Sequence, residues 1–271
     1  LGEGVDTAWQ DRDVLAISRF GGYSDVICVP YRQVAERPPG MTADTGAAIP
    51  VNYLTAYQLV HVMGGLRSEE TMLVHSAGGG VGIAAIQLAR NIGARVIGTA
   101  SARKHGFLKQ LGVHHCIDYR QEDFEKRVLE ITNGAGVELV LDPIGGASFK
   151  KSYRVLAPSG RLGMFGISSA ATGKTKSLTS LVKMLALMPW FQFTPLSLID
   201  QNKGVFGVNL GHLWDEIERV RNWLQALLDL YEKGVVQPVV DATFCFHEAA
   251  QAHHYIQDRK NVGKVLLVPR K

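Results

Sequence analysis

The sequence predicts an α/β protein built on a doubly wound parallel sheet with helices on both faces. Three observations predict it. From residue 50 onward, short apolar strands alternate with helices, and units this short in βα order demand parallel strands. A glycine-rich turn joins an early strand to the helix that follows it. The chain has 271 residues, 46% of them hydrophobic, which is enough for one large or two modest domains.

The elements follow in chain order. Gly-Gly turns, a proline pair and alternating runs such as Asp25–Val29 predict β-strands near the start of the chain. The alternating region is predicted to have strands at Met72–His75, Arg95–Ala100, Cys116–Tyr119, Val137–Leu141 and Arg161–Phe165. Its helices are predicted at Gly82–Ile92, Lys104–Leu111, Phe124–Thr132 and Phe149–Leu156.

The last part of the chain begins with a long amphipathic helix. Apolar residues recur at spacings of three and four from Leu213 to Tyr231, which gives one buried stripe. A final strand, helix and strand are predicted at Ala242–Phe246, His247–Gln257 and Lys264–Val268. We expect this tail to rejoin, at least in part, the β-rich first segment.

Charge and cysteine content exclude several classes of protein. The net charge of +4 comes from 29 Lys and Arg against 25 Asp and Glu, without the basic stripe that nucleic acid requires. Three scattered cysteines form no C-x-x-C motif, so they predict neither a disulfide framework nor a thiolate zinc cluster, and a reducing cytoplasm suits them. Adjacent histidines, as in His114-His115 and His253-His254, point in different directions. No metal site is therefore predicted.

The most apolar segment is Leu178–Ile199. A lysine and two prolines interrupt it, so it lacks the ~20 consecutive apolar residues of a membrane-spanning helix. One interpretation is a helix and loop packed on the cofactor domain or at a subunit interface. The alternative is a membrane-surface or substrate-pocket segment with Trp190 and Phe191 as anchors.

The glycine-rich turn lies within Leu73–Gly82. It fits a G-x-G-x-x-G spacing with Ala77 in the first place, followed by Gly79 and Gly82, and it has the required strand before it and helix after it. Gly79 would let the backbone approach a pyrophosphate, and Gly82 would let the helix pack closely on the strand. The helix N-terminus would present free N–H groups to the anion. A dinucleotide site is favoured over a merely tight β-α turn.

Charges near the turn favour NADPH over NADH. NAD enzymes usually place an acid after the second strand to bind the ribose hydroxyls, but no acidic residue occurs from Thr71 to Ile117. Arg103 and Lys104 follow that strand, where a 2′-phosphate would accept a charge-assisted hydrogen bond. The same features disfavour S-adenosylmethionine. The alternative is that both cations are solvated residues at a helix start.

Three motifs carry a family resemblance: the glycine-rich turn, Pro50–Tyr57 before it, and Asn261–Val265 near the end. With them, nearly the whole chain resembles the medium-chain dehydrogenase/reductases of the quinone oxidoreductase branch. The vesicle amine transport protein subgroup, the synaptic-vesicle membrane protein homologues, is the most similar within that branch. The segments that indicate this subgroup are Gly98–His105, Asp142–Gly146 and Lys260–Pro269.

The resemblance implies a Rossmann domain, residues 47–235, inserted in a GroES-like β domain formed by residues 1–46 and 236–271. The family's opening β-domain segment has no counterpart here, so this domain is expected to be N-terminally incomplete. NADPH would lie in the cleft between the domains. The resemblance also implies a homodimer paired through Rossmann sheet edges.

The resemblance assigns site residues one by one. The pyrophosphate turn corresponds to Ala77, Gly79, Gly80, Val81 and Gly82. The adenosine ribose and the 2′-phosphate would be held by Ser101, Lys104 and Tyr119. The turn beside the nicotinamide half matches Phe165, Gly166 and Ser168. Asn261 would make a C-terminal cofactor contact, and Asn52 and Thr55 would lie near the nicotinamide face.

With neither a metal site nor a nucleophile predicted, hydride transfer is the expected reaction. NADPH would reduce a quinone or an α,β-unsaturated carbonyl, whose developing negative oxygen needs only a hydrogen-bond donor and no zinc. Tyr53 or Thr55 is the candidate donor. The alternative is an NADPH-binding protein that acts at a lipid or membrane surface with little or no catalysis. Either function fits a cytoplasmic protein, with membrane association under the second.

Overall fold

The computed structural model describes residues 1–168, 186 and 193–269. These residues form two compact units, one made of residues 1–55 with 209–271 and the other of residues 56–208. The predicted domains changed instead at residues 46/47 and 235/236. None of the helices in the described parts of the chain is long and apolar enough to cross a membrane.

The strands and helices are numbered here in chain order over the described residues. The strands are β1 (Val14–Ala16), β2 (Val34–Glu36), β3 (Thr71–Val74), β4 (Arg95–Ala100), β5 (His115–Asp118), β6 (Val137–Asp142), β7 (Leu156–Met164), β8 (Gly204–Gly207), β9 (Val240–Cys245) and β10 (Lys264–Val268). The α-helices are α1 (Ala43–Ala48), α2 (Pro50–Tyr57), α3 (Gly80–Ile92), α4 (His105–Gln110), α5 (Phe124–Ile131), α6 (Ala147–Arg154), α7 (Pro195–Gln201), α8 (Ile217–Glu232) and α9 (Ala249–Gln257).

The unit of residues 56–208 is built on a six-stranded sheet in the order β5-β4-β3-β6-β7-β8. All of its strands are parallel. The chain winds outward from β3 in one direction and from β6 in the other, so the strand order reverses between β3 and β6. Apolar side chains of successive strands are fully buried in the sheet, as in Leu73, Ile97, Ile117, Val140 and Leu162. The predicted doubly wound α/β fold is confirmed, and its carboxyl edge contains the switch point where ligands of such sheets bind.

The predicted bounds were wrong around β7. A helix was expected at Phe149–Leu156 and a strand at Arg161–Phe165, but α6 ends at Arg154 and β7 already begins at Leu156. Val137 pairs with Leu156 and Leu139 with Arg161, so β7 contains a bulge between these pairs. The sequence Pro-Ser-Gly in the bulge has the composition of a turn, which concealed the strand. The neighbouring β8 was also missed, because glycines at both of its ends weaken the strand signal.

The other unit contains an antiparallel pair, β1 and β2, and a parallel pair, β9 and β10. The strand predicted at Asp25–Val29 is wrong: these residues form bends and coil, and Val26 is 83% exposed. No neighbouring strand among the described residues supplies the ladder that an extended segment needs. The helix predicted from Leu213 begins as one short 3-10 turn, Trp214–Glu216, and its α-helical part is α8. Most of Leu178–Ile199, with Trp190 and Phe191, lies outside the described residues.

Candidate cofactor site at the carboxyl edge of the sheet

The turn after β3 leads directly into the 13-residue helix α3. Ser76 adopts the left-handed conformation with φ +54°, and its carbonyl accepts the Gly79 N–H at 2.9 Å. Gly79 is the N-cap residue of α3, and no side chain of the described residues caps the helix there. The N–H groups of the first turn of α3 are therefore without side-chain acceptors, as an anion-binding helix end requires.

Two glycines of the turn lie where a side chain would not fit. A Cβ on Gly82 would be 2.6 Å from the carbonyl oxygens of both Ser76 and Ala77, which are backbone atoms. A Cβ on Gly78 would be 2.7 Å from Cδ of Lys104. The absence of side chains thus lets α3 approach the end of β3, and it lets the Lys104 stem lie against the turn. Gly80 and Val81 complete the first turn of α3 and are half-buried.

The segment after β4 carries the cations of the predicted 2′-phosphate site. Ser101 is buried, and its carbonyl accepts the Lys104 N–H at 2.9 Å within a short 3-10 turn. Lys104 itself is only 8% exposed, whereas Arg103 is exposed. Tyr119 follows β5 at the same edge of the sheet and is half-buried. An acid lies just beyond the acid-free window, but Asp118 accepts the N–H of Arg120 at 3.0 Å and so holds its own loop.

The loop after β6 is organised by a carboxylate that the sequence analysis did not single out. Asp142 is fully buried at the end of β6. Its Oδ1 accepts the Ile144 N–H at 2.7 Å, and its Oδ2 accepts the hydroxyls of Ser148 and Ser152, each at 2.7 Å. The available signal was an aspartate that ends a strand and precedes Pro-x-Gly-Gly. The motif Asp142–Gly146 had been interpreted only as part of the family resemblance.

The segment after β7 rests on this loop. The Phe165 N–H donates to the Asp142 carbonyl at 3.2 Å, and the Ser168 N–H donates to the Pro143 carbonyl at 2.8 Å. A Cβ on Gly166 would be 3.1 Å from that same Pro143 oxygen. The predicted nicotinamide-side residues are thus held in place by the backbone of the β6 loop.

A buried polar chain runs from Asp142 into the sheet. Ser152 lies 3.1 Å from His75 Nε2, and His75 Nδ1 lies 3.0 Å from the hydroxyl of Thr99 on β4. The imidazole also packs edge-on against Phe124, with ring centroids 4.4 Å apart. Burial lowers the pKa of His75, and the nearby Asp142 opposes this shift in part. The ring is therefore neutral at physiological pH.

The remaining predicted residues lie in the unit of residues 1–55 and 209–271. Tyr53 is buried on α2, with half-buried Asn52 and Thr55 beside it. The Thr55 hydroxyl donates to the Val51 carbonyl at 2.7 Å. Asn261 precedes β10, and its side-chain amide donates to the Gly263 carbonyl at 2.8 Å. The residues that the structure gathers at the sheet edge are Ala77, Gly79, Gly80, Val81, Gly82, Ser101, Lys104, Tyr119, Phe165, Gly166 and Ser168.

The described residues do not fit a zinc ion. In residues 1–168, 186 and 193–269, no three His, Cys, Asp or Glu side chains come together as possible metal ligands. His114 Nδ1 already accepts the Val96 N–H at 3.0 Å. Burial raises the pKa of the Cys116 thiol, which disfavours the thiolate that binds metals.

Comparison with known proteins places the chain in a family. A family model described as zinc-binding dehydrogenase matches residues 111–267. The chain is 39% identical to the synaptic vesicle membrane protein VAT-1 homologs of rat and human over 99% of its length. It belongs to the zinc-binding dehydrogenases of the medium-chain dehydrogenase/reductase superfamily. The predicted superfamily and the resemblance to the vesicle protein subgroup are confirmed. The chain spans about two thirds of these relatives, 66% of the rat protein and 68% of the human one.

Solved structures of this superfamily share the fold. The human VAT-1 homolog-like protein is 30% identical with a TM-score of 0.82, over 100% of this chain and 76% of that one. A quinone oxidoreductase of Pseudomonas syringae is 27% identical with a TM-score of 0.76, over 92% and 72%. Mycobacterial Rv1454c, solved in complex with NADPH, is 28% identical with a TM-score of 0.74, over 89% and 70%. The chain thus has the fold of the oxidoreductases in this family.

Proposed function

We propose that this chain binds NADPH as part of a zinc-independent oxidoreductase, which transfers hydride from NADPH to a quinone or an α,β-unsaturated carbonyl. The observation that carries the proposal is the juxtaposition at the sheet edge. No side chain of the described residues caps the N-terminus of α3. In the turn before it, Gly78 and Gly82 leave no room for a side chain, and Lys104 packs against Gly78. An anion-binding helix end next to a buried cation suits a dinucleotide that carries an additional phosphate.

The choice of NADPH rests on the residues after β4. A ribose with free hydroxyls is usually bound by an acid at this position, and the chain has Ser101, Arg103 and Lys104 there instead. Lys104 needs little reordering to bind a phosphate, because its stem is already buried against Gly78. The mycobacterial structure with NADPH shows that this fold accepts the cofactor in a relative.

Bound NADPH would supply the hydride. The protein would supply position and a hydrogen bond to the oxygen of the substrate that gains negative charge. Tyr53 or Thr55 is the proposed donor. Thr55 would first have to release the Val51 carbonyl, to which its hydroxyl donates in this structure. The quinone oxidoreductase among the structural neighbours supports the quinone class. Because the described residues offer no ligand set for zinc, the proposal contains no metal-dependent step.

The test is a fluorescence titration of the purified protein with NADPH and with NADH at one ionic strength, followed by NADPH oxidation in the presence of a small quinone. We expect clearly tighter binding of NADPH and quinone-dependent oxidation. Equal affinity for the two cofactors would contradict the cofactor assignment. NADPH binding without turnover of quinones or enones would contradict the enzymatic part.

Similarity to vesicle membrane proteins supports a second candidate function. These relatives are called synaptic vesicle membrane proteins, so we also propose that a protein of this type acts as an NADPH-binding peripheral membrane protein. Flotation with vesicles that contain anionic lipid tests this function, and the Trp190→Glu, Phe191→Glu double variant tests the apolar segment. Unchanged flotation of that variant would remove the segment as the contact. We further propose that the protein is a homodimer, which analytical ultracentrifugation would detect, and that it lies in the cytoplasm.

A further inference from the structure

The buried polar chain that joins β4, β3, α6 and β6 has a defined direction. An ionised carboxylate accepts hydrogen bonds and cannot donate them, so the Ser152 hydroxyl donates its one proton to Asp142. The Ser152 oxygen is then left to accept from His75 Nε2–H. Since Nε2 carries the ring proton, Nδ1 accepts from the Thr99 hydroxyl. Each donor in the chain points towards Asp142.

This polar chain is closed to water, so no water molecule can replace or reverse its hydrogen bonds. Thr99 and His75 are each 1% exposed, and Ser152 and Asp142 are 0% exposed. A buried polar atom without a partner loses the hydrogen bonds that water would have given it. The neutral His75 ring needs both an acceptor and a donor, and Ser152 and Thr99 supply them. The packing therefore selects one tautomer of the imidazole.

Asp142 contacts both loops at the nicotinamide side of the proposed site, one through its carboxylate and the other through its backbone. Its Oδ1 accepts the Ile144 N–H, and its own backbone carbonyl accepts the Phe165 N–H. A Cβ on Gly145 would be 3.0 Å from Ile167 Cγ2, so the two loops also pack closely. A movement of the β6 loop would therefore displace the segment of residues 165–168.

We propose that the directed chain Thr99→His75→Ser152→Asp142 makes Asp142 a positioning residue, which sets the nicotinamide-side loops while the glycine turn sets the adenosine side. This inference rests on the proposed function only for the identity of the ligand. The direction of the chain and the tautomer of His75 follow from the contact geometry for a carboxylate at Asp142 and a neutral ring at His75, and they do not depend on the ligand. Asp142 acts through the backbone of Ile144, Phe165 and, by way of Pro143, Ser168.

The first experiment tests the direction of the chain by nitrogen-15 NMR of the histidine rings. In the native protein His75 is expected as the Nε2–H tautomer. In Asp142→Asn, the amide oxygen keeps the Ile144 contact and the NH₂ group donates to both serines. Ser152 then donates to His75 Nε2, and the ring proton moves to Nδ1. A native Nδ1–H tautomer, or the same tautomer in both proteins, would overturn the directed chain.

The second experiment tests positioning with two ligands, NADPH and adenosine 2′,5′-bisphosphate, which lacks the nicotinamide half. Asp142→Ala is expected to weaken NADPH about tenfold, the lower range for a lost hydrogen bond to a charged group, and to change the bisphosphate less than about twofold. Asp142→Asn, which keeps the bonds in reversed direction, is expected to lose less NADPH affinity than Asp142→Ala. Equal weakening of both ligands would overturn the positioning role.

Two further proteins make the outcome unambiguous. Ser148→Ala removes one hydrogen bond to the carboxylate, at a half-buried position. It is expected to weaken NADPH more than the bisphosphate, by less than Asp142→Ala does, and it keeps the test available if Asp142→Ala does not fold. Asp118→Ala is the matched control, since it removes a buried carboxylate that ends β5 on the adenosine side, and it is expected not to weaken NADPH selectively. Failure of the native protein to bind either ligand would refute the proposed function and the positioning role together. The tautomer result would be unaffected.

Discussion

Gly82→Ala tests the geometry of the glycine turn most directly. The new methyl group would lie 2.6 Å from two carbonyl oxygens, those of Ser76 and Ala77. Both belong to the backbone, so no side chain can rotate away. Relief requires α3 to move away from the end of β3, and the free N–H groups of its first turn would move with it.

Two opposing terms determine the size of the effect. Alanine is the better helix former by about 1 kcal/mol. Overpacking a rigid site costs about 1–3 kcal/mol, and two backbone clashes place Gly82 near the upper end of that range. We therefore expect a net loss of about 1–2 kcal/mol in the free energy of unfolding, together with weaker NADPH binding.

Gly106→Ala is the matched control, because Gly106 lies in α4 and a Cβ there would meet nothing within 4 Å. It should raise the free energy of unfolding by up to about 1 kcal/mol, since only the helix propensity changes. Urea denaturation of the three proteins measures both values, and fluorescence titration measures NADPH affinity. If Gly82→Ala were as stable as Gly106→Ala and bound NADPH normally, the close approach of α3 to the turn would be refuted.

Three other perturbations probe different parts of the same unit. Lys104→Glu is expected to weaken the binding of NADPH by about 1.5–3 kcal/mol and that of NADH much less, whereas Lys109→Glu, at an exposed position in α4, should affect neither. Equal losses for the two cofactors would show that Lys104 does not bind the 2′-phosphate. Arg161→Ala removes a bidentate ion pair with Glu70, in which the nitrogen–oxygen distances are 2.7 and 3.1 Å. It should lower the free energy of unfolding, measured in urea, by about 3 kcal/mol. A loss below about 1 kcal/mol would mean that the pair contributes no more than a surface ion pair. Burial lowers the pKa of His75, so the unfolded chain binds a proton more readily than the folded protein does. The free energy of unfolding is therefore expected to be unaffected by His75 above about pH 6.5 and to fall as the pH drops below that value. A free energy of unfolding that stays constant between about pH 7.5 and 5.5 would contradict this.

The fold was largely predictable because the sheet depends on local signals. Strands that are buried on both faces are continuous apolar runs, and the helices between them show a clear period. The errors fall where pairing overrides composition. Pro158 and Gly160 indicate a turn, but Val137 and Leu139 pair with residues on either side of them and keep the segment in β7. Asp25–Val29 shows the reverse case, a run with strand character and no neighbouring strand among the described residues.

The site was predictable only in its local part. The glycine turn and Lys104 lie within about thirty residues of one another and form one strand-turn-helix unit with the strand that follows, so a motif describes them. The polar chain joins residues 24 and 77 positions apart in sequence, His75 with Thr99 and His75 with Ser152. Taken alone, Thr99 is an ordinary strand residue, Ser152 an ordinary helix residue, and His75 the first residue of the turn after β3. Only the packing of β3, β4 and α6 turns them into a set of partners.

This difference predicts how the two ends of the proposed site respond to substitution. At the adenosine end the positions are set by backbone atoms, so any added side chain displaces α3 whatever its polarity, as at Gly82. At the nicotinamide end the positions are set by side-chain hydrogen bonds in a space closed to water, as at Asp142. Exchanging a donor for an acceptor there is expected to move the loops even when the volume of the side chain is conserved. Substitutions that add volume therefore probe the first end, and substitutions that remove or reverse a hydrogen bond probe the second. Affinity for NADPH and for adenosine 2′,5′-bisphosphate should fall together in the first case and separate in the second.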